Sequence, residues 1–272
     1  MLTDLLVAFY RFWHGKLQLK GAGVLLRASA QVLPALGHYQ LSVPNLGVLT
    51  INLKDSSGIG WLNYSLGEGG NEVGMISAII KLAPPNPVIW DVGANAGYFI
   101  AAVIDELKRY REIRLFEPNP KLDSILREFA GLLPNIHTHN LALSDKVETI
   151  ALHIPRKDSS TASFTPVTTD SSPVKVKCTT GDVFLKESGA LDPDLVIIDT
   201  EGNDCRVIQG FAELIHRKRP VIFFENIFET EATINAALPP TYRCLTVNDI
   251  SGELTPGLDK TRGHNCVFVP QN

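Results

Sequence analysis

Short apolar runs alternate with helical apolar stripes from residue 88 to the end of the chain. The runs are rich in Val, Ile and Phe, which is typical of buried strands. Central strands are expected at 88–91, 113–117, 136–143, 195–199, 221–225, 242–247 and 266–269. Two further strands, at 148–154 and 174–178, are expected in a local insertion, on either side of a polar loop at 158–172. Between the central runs, apolar residues recur at spacings of three and four, which predicts amphipathic helices. The alternation predicts a doubly wound, mostly parallel α/β sheet.

The first part of the chain has a different pattern. Apolar residues at spacings near three and four predict a helix at the N-terminus: Leu2, Leu5, Leu6, Phe9, Phe12 and Trp13. Residues 39–53 predict a hairpin that turns at Pro44, Asn45 and Gly47. The Gly- and Ser-rich stretch 56–70 is expected to be loop, and 72–82 a helix. We therefore expect an N-terminal helical and β-hairpin extension over 1–85 and a second domain over 86–272.

The composition is that of a globular protein. Of 272 residues, 44% are hydrophobic and 20% charged, so the chain has enough apolar material for a core. The net charge of −4 argues against a nucleic-acid partner, whose phosphates would need basic residues. The four cysteines include no CxxC pair, so neither a zinc site nor a disulfide framework is indicated. A cytoplasmic location is the expectation.

The charges of residues 1–54 are nearly all positive. No acidic residue lies between Asp4 and Asp55, whereas the segment between them contains five Lys and Arg residues. These bases interrupt the apolar stretches, so no bilayer-spanning segment is expected. They follow the first apolar run, which is the reverse of the order in a secretory signal. Residues 1–36 are expected to form an amphipathic, basic segment that either docks on the second domain or rests peripherally on an anionic membrane surface.

A strand, an acidic tip, a glycine turn and a helix start follow one another in VIWDVGANAG, residues 88–97. Gly93 and Gly97 allow the backbone to turn tightly, and a helix that begins there offers free N–H groups to an anion. A dinucleotide fingerprint would need glycine at the positions of Gly93, Asn95 and Tyr98, and only the first matches. A small anionic group is therefore favoured over NAD or FAD. A tight turn without a ligand is the alternative.

Four successive predicted strands end in an acid: Asp91, Glu117, Asp199 and Glu225. Ligands of such sheets bind at the carboxyl ends of the strands, so the four acids should line one crevice. A single acid there could merely cap the next helix. Four together favour a cationic ligand, because unpaired carboxylates repel each other.

The motifs DVGANAGYF, FEPNP, ALSD, IDTEG and FFEN, in this order, resemble the FkbM family of S-adenosylmethionine-dependent methyltransferases. The resemblance covers about residues 88–230. It implies a Rossmann-like, seven-stranded sheet whose last strand is antiparallel. It also implies an O-methyltransferase that acts on a hydroxyl of a sugar, glycan or natural product, with S-adenosylmethionine as cofactor and a small-molecule or glycan acceptor as partner.

The resemblance also implies a set of site residues. The turn would hold the methionine end of the cofactor, Glu117 would accept both ribose hydroxyls, and Phe116, Pro118 and Asn119 would border the adenine. The full expected cofactor set is Asp91, Gly93, Asn95, Gly97, Tyr98, Glu117, Pro118, Asn119, Asn140, Ala142 and Asp199.

A group that takes the acceptor's hydroxyl proton is needed, and the sequence offers Asp199, Glu201, Glu225 and His264. The expected catalytic residues among them are Asp199, Glu225 and His264. One route uses Asp199 or His264 as general base; His264 directly precedes the last strand, so an antiparallel last strand would place it at the same sheet edge as the strand-end acids. Another uses Mg²⁺ held by Asp199, Glu225 and Asn226, an arrangement that resembles the metal-dependent catechol-type O-methyltransferases. One alternative to a methyltransferase is a nonenzymatic protein that binds S-adenosylmethionine or a nucleotide. Another is an NAD-dependent oxidoreductase, which the mismatch to the dinucleotide fingerprint disfavours.

Overall fold

The computed structural model describes residues 2–16, 22–67, 72–155, 161–166, 171–237 and 239–271. Its strands are β1 (Tyr39–Val43), β2 (Gly47–Ile51), β3 (Val88–Val92), β4 (Glu112–Phe116), β5 (Ile136–His139), β6 (Ala142–Leu143), β7 (Glu148–Pro155), β8 (Ser171–Thr179), β9 (Leu195–Ile198), β10 (Val221–Glu225), β11 (Tyr242–Val247), β12 (Leu254–Pro256) and β13 (Asn265–Pro270). Its α-helices are α1 (Leu2–Tyr10), α2 (Ala22–Val32), α3 (Ser56–Tyr64), α4 (Val73–Leu82), α5 (Tyr98–Leu107), α6 (Asp123–Ala130), α7 (Gly181–Ser188), α8 (Asp204–Gln209), α9 (Ala212–Lys218) and α10 (Glu231–Ala237).

The central sheet has eight strands in the order β12-β11-β13-β10-β9-β3-β4-β5. Neighbours from β10 to β5 run parallel, and β13 pairs antiparallel with both β10 and β11. The predicted Rossmann-like sheet with an antiparallel last strand is confirmed, and the short β12 adds an eighth strand at the edge. Because the parallel strands share a direction, their carboxyl ends meet at one edge, and the start of β13 lies at the same edge.

Helices cover both faces of this sheet, as the alternation of buried side chains requires. In β9, Leu195 and Ile197 face one apolar cluster with α4, α5 and α6. Val196 and Ile198 face the other, with α8 and α9. Strands that are apolar on both faces are typical of a parallel sheet between helical layers.

The N-terminal extension joins the first of these clusters. Val7, Tyr10, Leu26 and Ala30 are buried in it, and the Tyr10 hydroxyl donates to Asn63 Oδ1 at 2.5 Å. The hairpin β1–β2 is present with its turn at 44–46, and α4 occupies the predicted helix. Within the described ranges, no helix has both the length and the apolar character needed to cross a membrane.

The expected loop at 56–70 is wrong over its first part, which is helix α3. Asp55 caps this helix by accepting the backbone N–H of Ser57 at 3.1 Å. Trp61 and Leu62 are fully buried, so packing outweighs the weak helix propensity of Gly and Ser here. The Trp61 indole N–H donates to the Ala96 carbonyl oxygen at 2.9 Å, so α3 supports the glycine turn. Residues 68–70 lie outside the described part.

The expected single strand at 136–143 is also wrong. It divides at Asn140 into β5 of the central sheet and β6, which pairs with β8 in a separate three-stranded sheet with β7. The Asn140 side chain donates to the Glu117 carbonyl oxygen at 2.9 Å, which fixes the chain at the point where it leaves the central sheet. The predicted loop at 158–172 is shorter than expected, because β8 begins at Ser171; residues 156–160 and 167–170 are not described.

Candidate functional site

Two adjoining cavities open at the carboxyl edge of the central sheet. The first cavity, about 230 Å³, lies over β3, β4 and β6 and has Phe116, Glu117 and Leu143 in its wall. The second cavity, about 310 Å³, lies over β3, β9 and β10 and has Asp91, Ile227 and His264 in its wall. Six residues line both: Glu72, Gly93, Asn95, Tyr98, Asp199 and Glu225. The two cavities therefore meet at the ends of β9 and β10.

The glycine turn after β3 is held by backbone contacts that exclude side chains. Gly93 has φ +93°, and a Cβ built on it would overlap the carbonyl oxygen of Asp199. A Cβ on Gly97, at φ +89°, would press against the ring of Phe129. The Gly93 N–H donates to the Phe116 carbonyl oxygen at 2.9 Å. Both glycines are therefore needed to pack the turn between neighbouring elements, whether or not a ligand lies beside it.

Glu117 follows β4 and projects into the first cavity as a buried carboxylate. Its Oε2 accepts the backbone N–H of Asn95 at 2.9 Å, and its Oε1 accepts that of Asn119 at 2.7 Å. Burial raises the pKa of Glu117 to about 7, although these two hydrogen bonds lower it. Each oxygen has a further lone pair for a ligand hydroxyl, so Glu117 is oriented as an acceptor of two donors.

Apolar side chains form one part of the wall of the first cavity, beside polar residues that include Ser163, Thr200 and Asn203. Phe116, Pro118 and Ala142 contribute as expected, and Leu143 and Phe164 close it from other segments. Phe116 is fully buried and packs at 5.0 Å from the ring of Trp90. A flat, apolar ring fits between such walls, with the carboxylate of Glu117 beside it.

Two turns of the site are tied together by side chains. The Ser144 hydroxyl, just after β6, donates to Asn203 Oδ1 at 2.9 Å, and Asn203 Nδ2 donates to the Leu143 carbonyl oxygen at 3.0 Å. Asp204 accepts the backbone N–H groups of Thr200 and Gly202 at 3.4 and 3.3 Å. These contacts join the ALSD and IDTEG segments, and so they fix the loop that follows Asp199.

Five carboxyl groups shape the electrostatics of the cavities. Burial raises the pKa of Glu72 and Glu117 to about 7, of Asp199 to about 6 and of Glu225 to about 8. Burial, followed by the charges of Asp199, Glu72 and Glu117, raises the pKa of Asp91 well above its ordinary value. Mutual repulsion of this kind is relieved by a cation, so the prediction of a cationic ligand at this edge has a physical basis in the structure.

Asp91 and Asp199, two of these five acids, differ in their exposure to solvent. Asp91 is 3% exposed, and its Oδ2 has no hydrogen-bond partner within the described structure, although it borders the second cavity. A buried oxygen without a donor is costly, so a donor from a ligand fits there. Asp199 is reached by solvent through the cavities, yet it lies deep enough for desolvation to raise its pKa to about 6.

His264 directly precedes β13 and pairs with Asp249. Its Nδ1 is 2.8 Å from Asp249 Oδ2, and its backbone N–H donates to Asp249 Oδ1 at 2.9 Å. Its carbonyl oxygen accepts the Asn226 N–H at 2.8 Å, at the end of β10. The predicted position of His264, at the same edge as the strand-end acids, agrees with this geometry.

The structure divides the predicted cofactor residues into three groups. Seven line the first cavity: Gly93, Asn95, Tyr98, Glu117, Pro118, Ala142 and Asp199. Asp91 lines the second cavity; it lies within β3, one residue before the end of that strand. Gly97, Asn119 and Asn140 line neither cavity; Asn119 and Asn140 hydrogen-bond to Glu117, and Gly97 packs against the ring of Phe129. All three proposed catalytic residues, Asp199, Glu225 and His264, line the second cavity.

Sequence reasoning missed Glu72 and Asp249. Glu72 directly precedes α4, and Asp249 follows β11, so neither stands at the end of a parallel strand. They reach the cavity because α4 packs against this edge, where the Gly74 N–H donates to the Asp249 carbonyl oxygen at 3.0 Å. No local pattern in the sequence signals that contact.

Known proteins resemble this chain in sequence and in structure. The 2-O-methyltransferase NoeI of Sinorhizobium fredii (strain NBRC 101917 / NGR234) is 26% identical over 154 residues, which are 51% of this chain and 63% of that protein. The chain thus matches less than two thirds of the length of this relative. The crystal structure of methyltransferase FkbM from Methylobacillus flagellatus KT superposes with a TM-score of 0.45 at 15% identity, over 78% of this chain and 53% of that one.

A family comparison settles the assignment. The methyltransferase FkbM domain matches residues 91–239, more than half of the chain. The match begins at Asp91 and contains the glycine turn, Glu117, Asp199 and Glu225. The chain belongs to the FkbM family of S-adenosylmethionine-dependent methyltransferases.

Proposed function

We propose that this enzyme transfers a methyl group from S-adenosylmethionine to a hydroxyl of a sugar, glycan or natural-product acceptor. The observation that carries the proposal is the meeting of the two cavities at Asp199 and Glu225. The first cavity would hold the adenosine part of the cofactor, and the far side of the second cavity would hold the acceptor. The reacting atoms would then meet where the cavities join.

The residues present fit the cofactor group by group. Glu117 would accept the ribose hydroxyls, and Phe116, Leu143 and Phe164 would enclose the adenine. The turn at Gly93 and the unpartnered Oδ2 of Asp91 would face the amino acid end, whose ammonium is a donor. When bound, the cofactor supplies an electrophilic methyl group on a cationic sulfur. Its two positive charges would lie among the acids whose pKa values are raised first by burial and then by their mutual repulsion.

The second cavity favours an acceptor without negative charge. Its described lining includes Glu72, Asp91, Asp199, Glu225 and Asp249, and no Lys or Arg belongs to that lining. A carboxylate or phosphate on the acceptor would face these acids without a counter-charge. A neutral hydroxyl would find hydrogen-bond acceptors instead. The name of the relative NoeI, a 2-O-methyltransferase, supports a hydroxyl as the group that is methylated.

The chain's own groups would position the acceptor and take its proton. A hydroxyl is a poor nucleophile while it is protonated, and alignment of the reacting groups supplies much of the rate. Asp199, at the junction of the cavities, and His264, on the acceptor side, are both placed to accept a proton. Burial raises the pKa of Glu225 to about 8, so at neutral pH its carboxyl suits a hydrogen-bond donor better than a base.

The route through Mg²⁺ has weaker support from the residues. Asn226, its third expected ligand, is fully buried and lines neither cavity. Over the described ranges, no group of three or more His, Cys, Asp or Glu side chains is arranged to hold a metal ion. We therefore propose the metal-free route, in which the carboxylates serve the cofactor and the acceptor.

The test is turnover with a panel of neutral sugars, measured as release of S-adenosylhomocysteine. We expect full turnover in excess chelator and no gain when Mg²⁺ or Mn²⁺ is added back, whereas loss in chelator with recovery on metal addition would restore the metal route. Asp199→Asn should lower turnover by more than about tenfold while cofactor binding persists. Asp182→Asn, a change outside both cavities, is the matched control. A protein that binds the cofactor but methylates no hydroxyl in the panel would contradict the proposal.

The N-terminal extension would contact two surfaces, the core of this chain on its inner face and an anionic membrane on its outer face. Its inner face is docked through Val7, Tyr10, Leu26 and Ala30, while Leu5, Phe9, Phe12, Val24 and Leu25 are about half exposed or more. An apolar stripe within a segment whose charges are nearly all basic matches the surface of an anionic membrane. We expect the protein to float with liposomes that contain anionic lipid and not with neutral ones. Absence from the anionic liposome fraction at low salt would reject membrane contact.

A further inference from the structure

Asp249 and His264 form a dyad at the rim of the second cavity. Asp249 Oδ2 lies 2.8 Å from His264 Nδ1, and both residues line that cavity. Resting on the function proposed above, we propose that Asp249 is a positioning residue that holds His264 as the base for the acceptor hydroxyl.

The dyad determines which ring nitrogen can accept a proton. A carboxylate only accepts hydrogen bonds, so the nitrogen that faces Asp249 must carry the hydrogen. With Nδ1–H donating to Asp249, the neutral ring keeps its lone pair on Nε2, which is the nitrogen left for the acceptor. A histidine oriented by an acid in this way can take a proton from a bound hydroxyl.

Both members of the dyad are fixed by their backbones. The His264 carbonyl oxygen accepts the Asn226 N–H at 2.8 Å, which ties it to the end of β10. The Asp249 carbonyl oxygen accepts the Gly74 N–H at 3.0 Å, which ties it to the start of α4. At Gly263 a Cβ would overlap the Val247 carbonyl oxygen and come within 3.0 Å of Asp249 Oδ1, so this glycine permits the close approach. The His264 side chain is 59% exposed, so these backbone contacts, and not burial, hold the pair in place.

The contacts of Asp249 also predict what an amide would do in its place. Asp249 Oδ1 accepts the backbone N–H of His264 at 2.9 Å, and a backbone N–H can only donate. In Asp249→Asn the amide oxygen must remain there, so the NH₂ group takes the position of Oδ2. That NH₂ donates to Nδ1 and forces the hydrogen of the ring onto Nε2. The variant would therefore retain its shape and present a donor where the base is needed.

The experiment combines a tautomer measurement with turnover, in the 272-residue chain. Long-range ¹H–¹⁵N correlation spectra, with the His264 signals identified by their loss in His264→Ala, report which nitrogen is protonated in the neutral ring. We expect Nδ1–H in the wild type and Nε2–H in Asp249→Asn. Turnover with a neutral sugar acceptor should fall by at least about tenfold in Asp249→Asn and in His264→Ala. Asp259→Asn, in the same connection between β11 and β13, and His137→Ala, an exposed histidine outside the cavities, should leave turnover unchanged.

The results of this experiment decide whether Asp249 holds His264 as the base. A wild-type spectrum with Nε2–H overturns the inference even if Asp249→Asn fails to fold. Wild-type turnover in Asp249→Asn overturns it as well, and it leaves the proposed function in place with Asp199 as the base. If no hydroxyl acceptor is methylated by the wild type, the proposed function fails, and the inference that rests on it fails with it.

Discussion

Removal of the Glu117 carboxylate should weaken cofactor binding by an amount that follows from its contacts. Its two oxygens already accept the N–H groups of Asn95 and Asn119, at 2.9 and 2.7 Å, so their remaining lone pairs point to a ligand. Glu117 is 8% exposed, so the variant loses a buried acceptor. Hydrogen bonds to a charged group are worth about 1.5–3 kcal/mol, so Glu117→Ala should weaken binding roughly 10- to 150-fold.

The assay is calorimetric titration with S-adenosylhomocysteine at pH 6 and pH 8. Because burial raises the pKa of Glu117 to about 7, the carboxylate is mostly ionised at pH 8, where the effect of Glu117→Ala should be larger. Asp182→Ala is the matched control, since Asp182 also accepts two backbone N–H groups, those of Glu213 and Leu214, but lies outside the two cavities. Unchanged affinity in Glu117→Ala, or equal losses in both variants, would refute this placement of the ribose.

Three further predictions concern stability and the cavity walls. Burial raises the pKa of Glu225 from 4.5 to about 8, so the folded protein retains a proton that the unfolded chain releases, and this group's contribution to stability is lost as pH rises from about 4.5 through 8. Denaturant titrations between pH 5 and 9 should therefore show Glu225→Gln gaining stability relative to the wild type as pH rises. A stability difference that stays constant over this range would contradict the pKa shift. Gly93→Val or Gly93→Ala should lower the melting temperature well beyond Gly189→Ala, which also has positive φ but has open space at its Cβ; equal losses would mean that the contact with Asp199 is unimportant. Phe164→Ala should weaken S-adenosylhomocysteine binding by about 0.5–1.5 kcal/mol in the same calorimetric assay, and wild-type affinity would remove Phe164 from the adenine wall.

The central sheet could be predicted from the sequence because its signals are local. Each parallel strand is a short run of apolar residues with an acid or a turn after it, and topology brings these ends to one edge. That reasoning placed Glu117, Asp199 and Glu225 correctly at the cavities. It also anticipated that His264, before an antiparallel last strand, would join them.

The parts that escaped prediction depend on contacts distant in sequence. The sequence of α3 resembles a loop because its Gly and Ser residues favour neither helix nor strand. The helix forms because Asp55 caps it and because Trp61, which donates to the Ala96 carbonyl oxygen, is buried against the glycine turn. Residues 136–143 divide into two strands because β6 pairs with β8, and this pairing places Ala142 beside Cys178, 36 residues later in the chain. Glu72 and Asp249 reach the second cavity through the packing of α4 on the sheet edge. A single sequence carries no periodic signal for such contacts.

A crystal structure with S-adenosylhomocysteine bound would test the central claim most directly. The account predicts the adenosine in the first cavity with both ribose hydroxyls on Glu117, the amino group toward Asp91, and the sulfur beside Asp199 where the two cavities join. An adenosine in the second cavity, or a sulfur remote from Asp199 and Glu225, would contradict it.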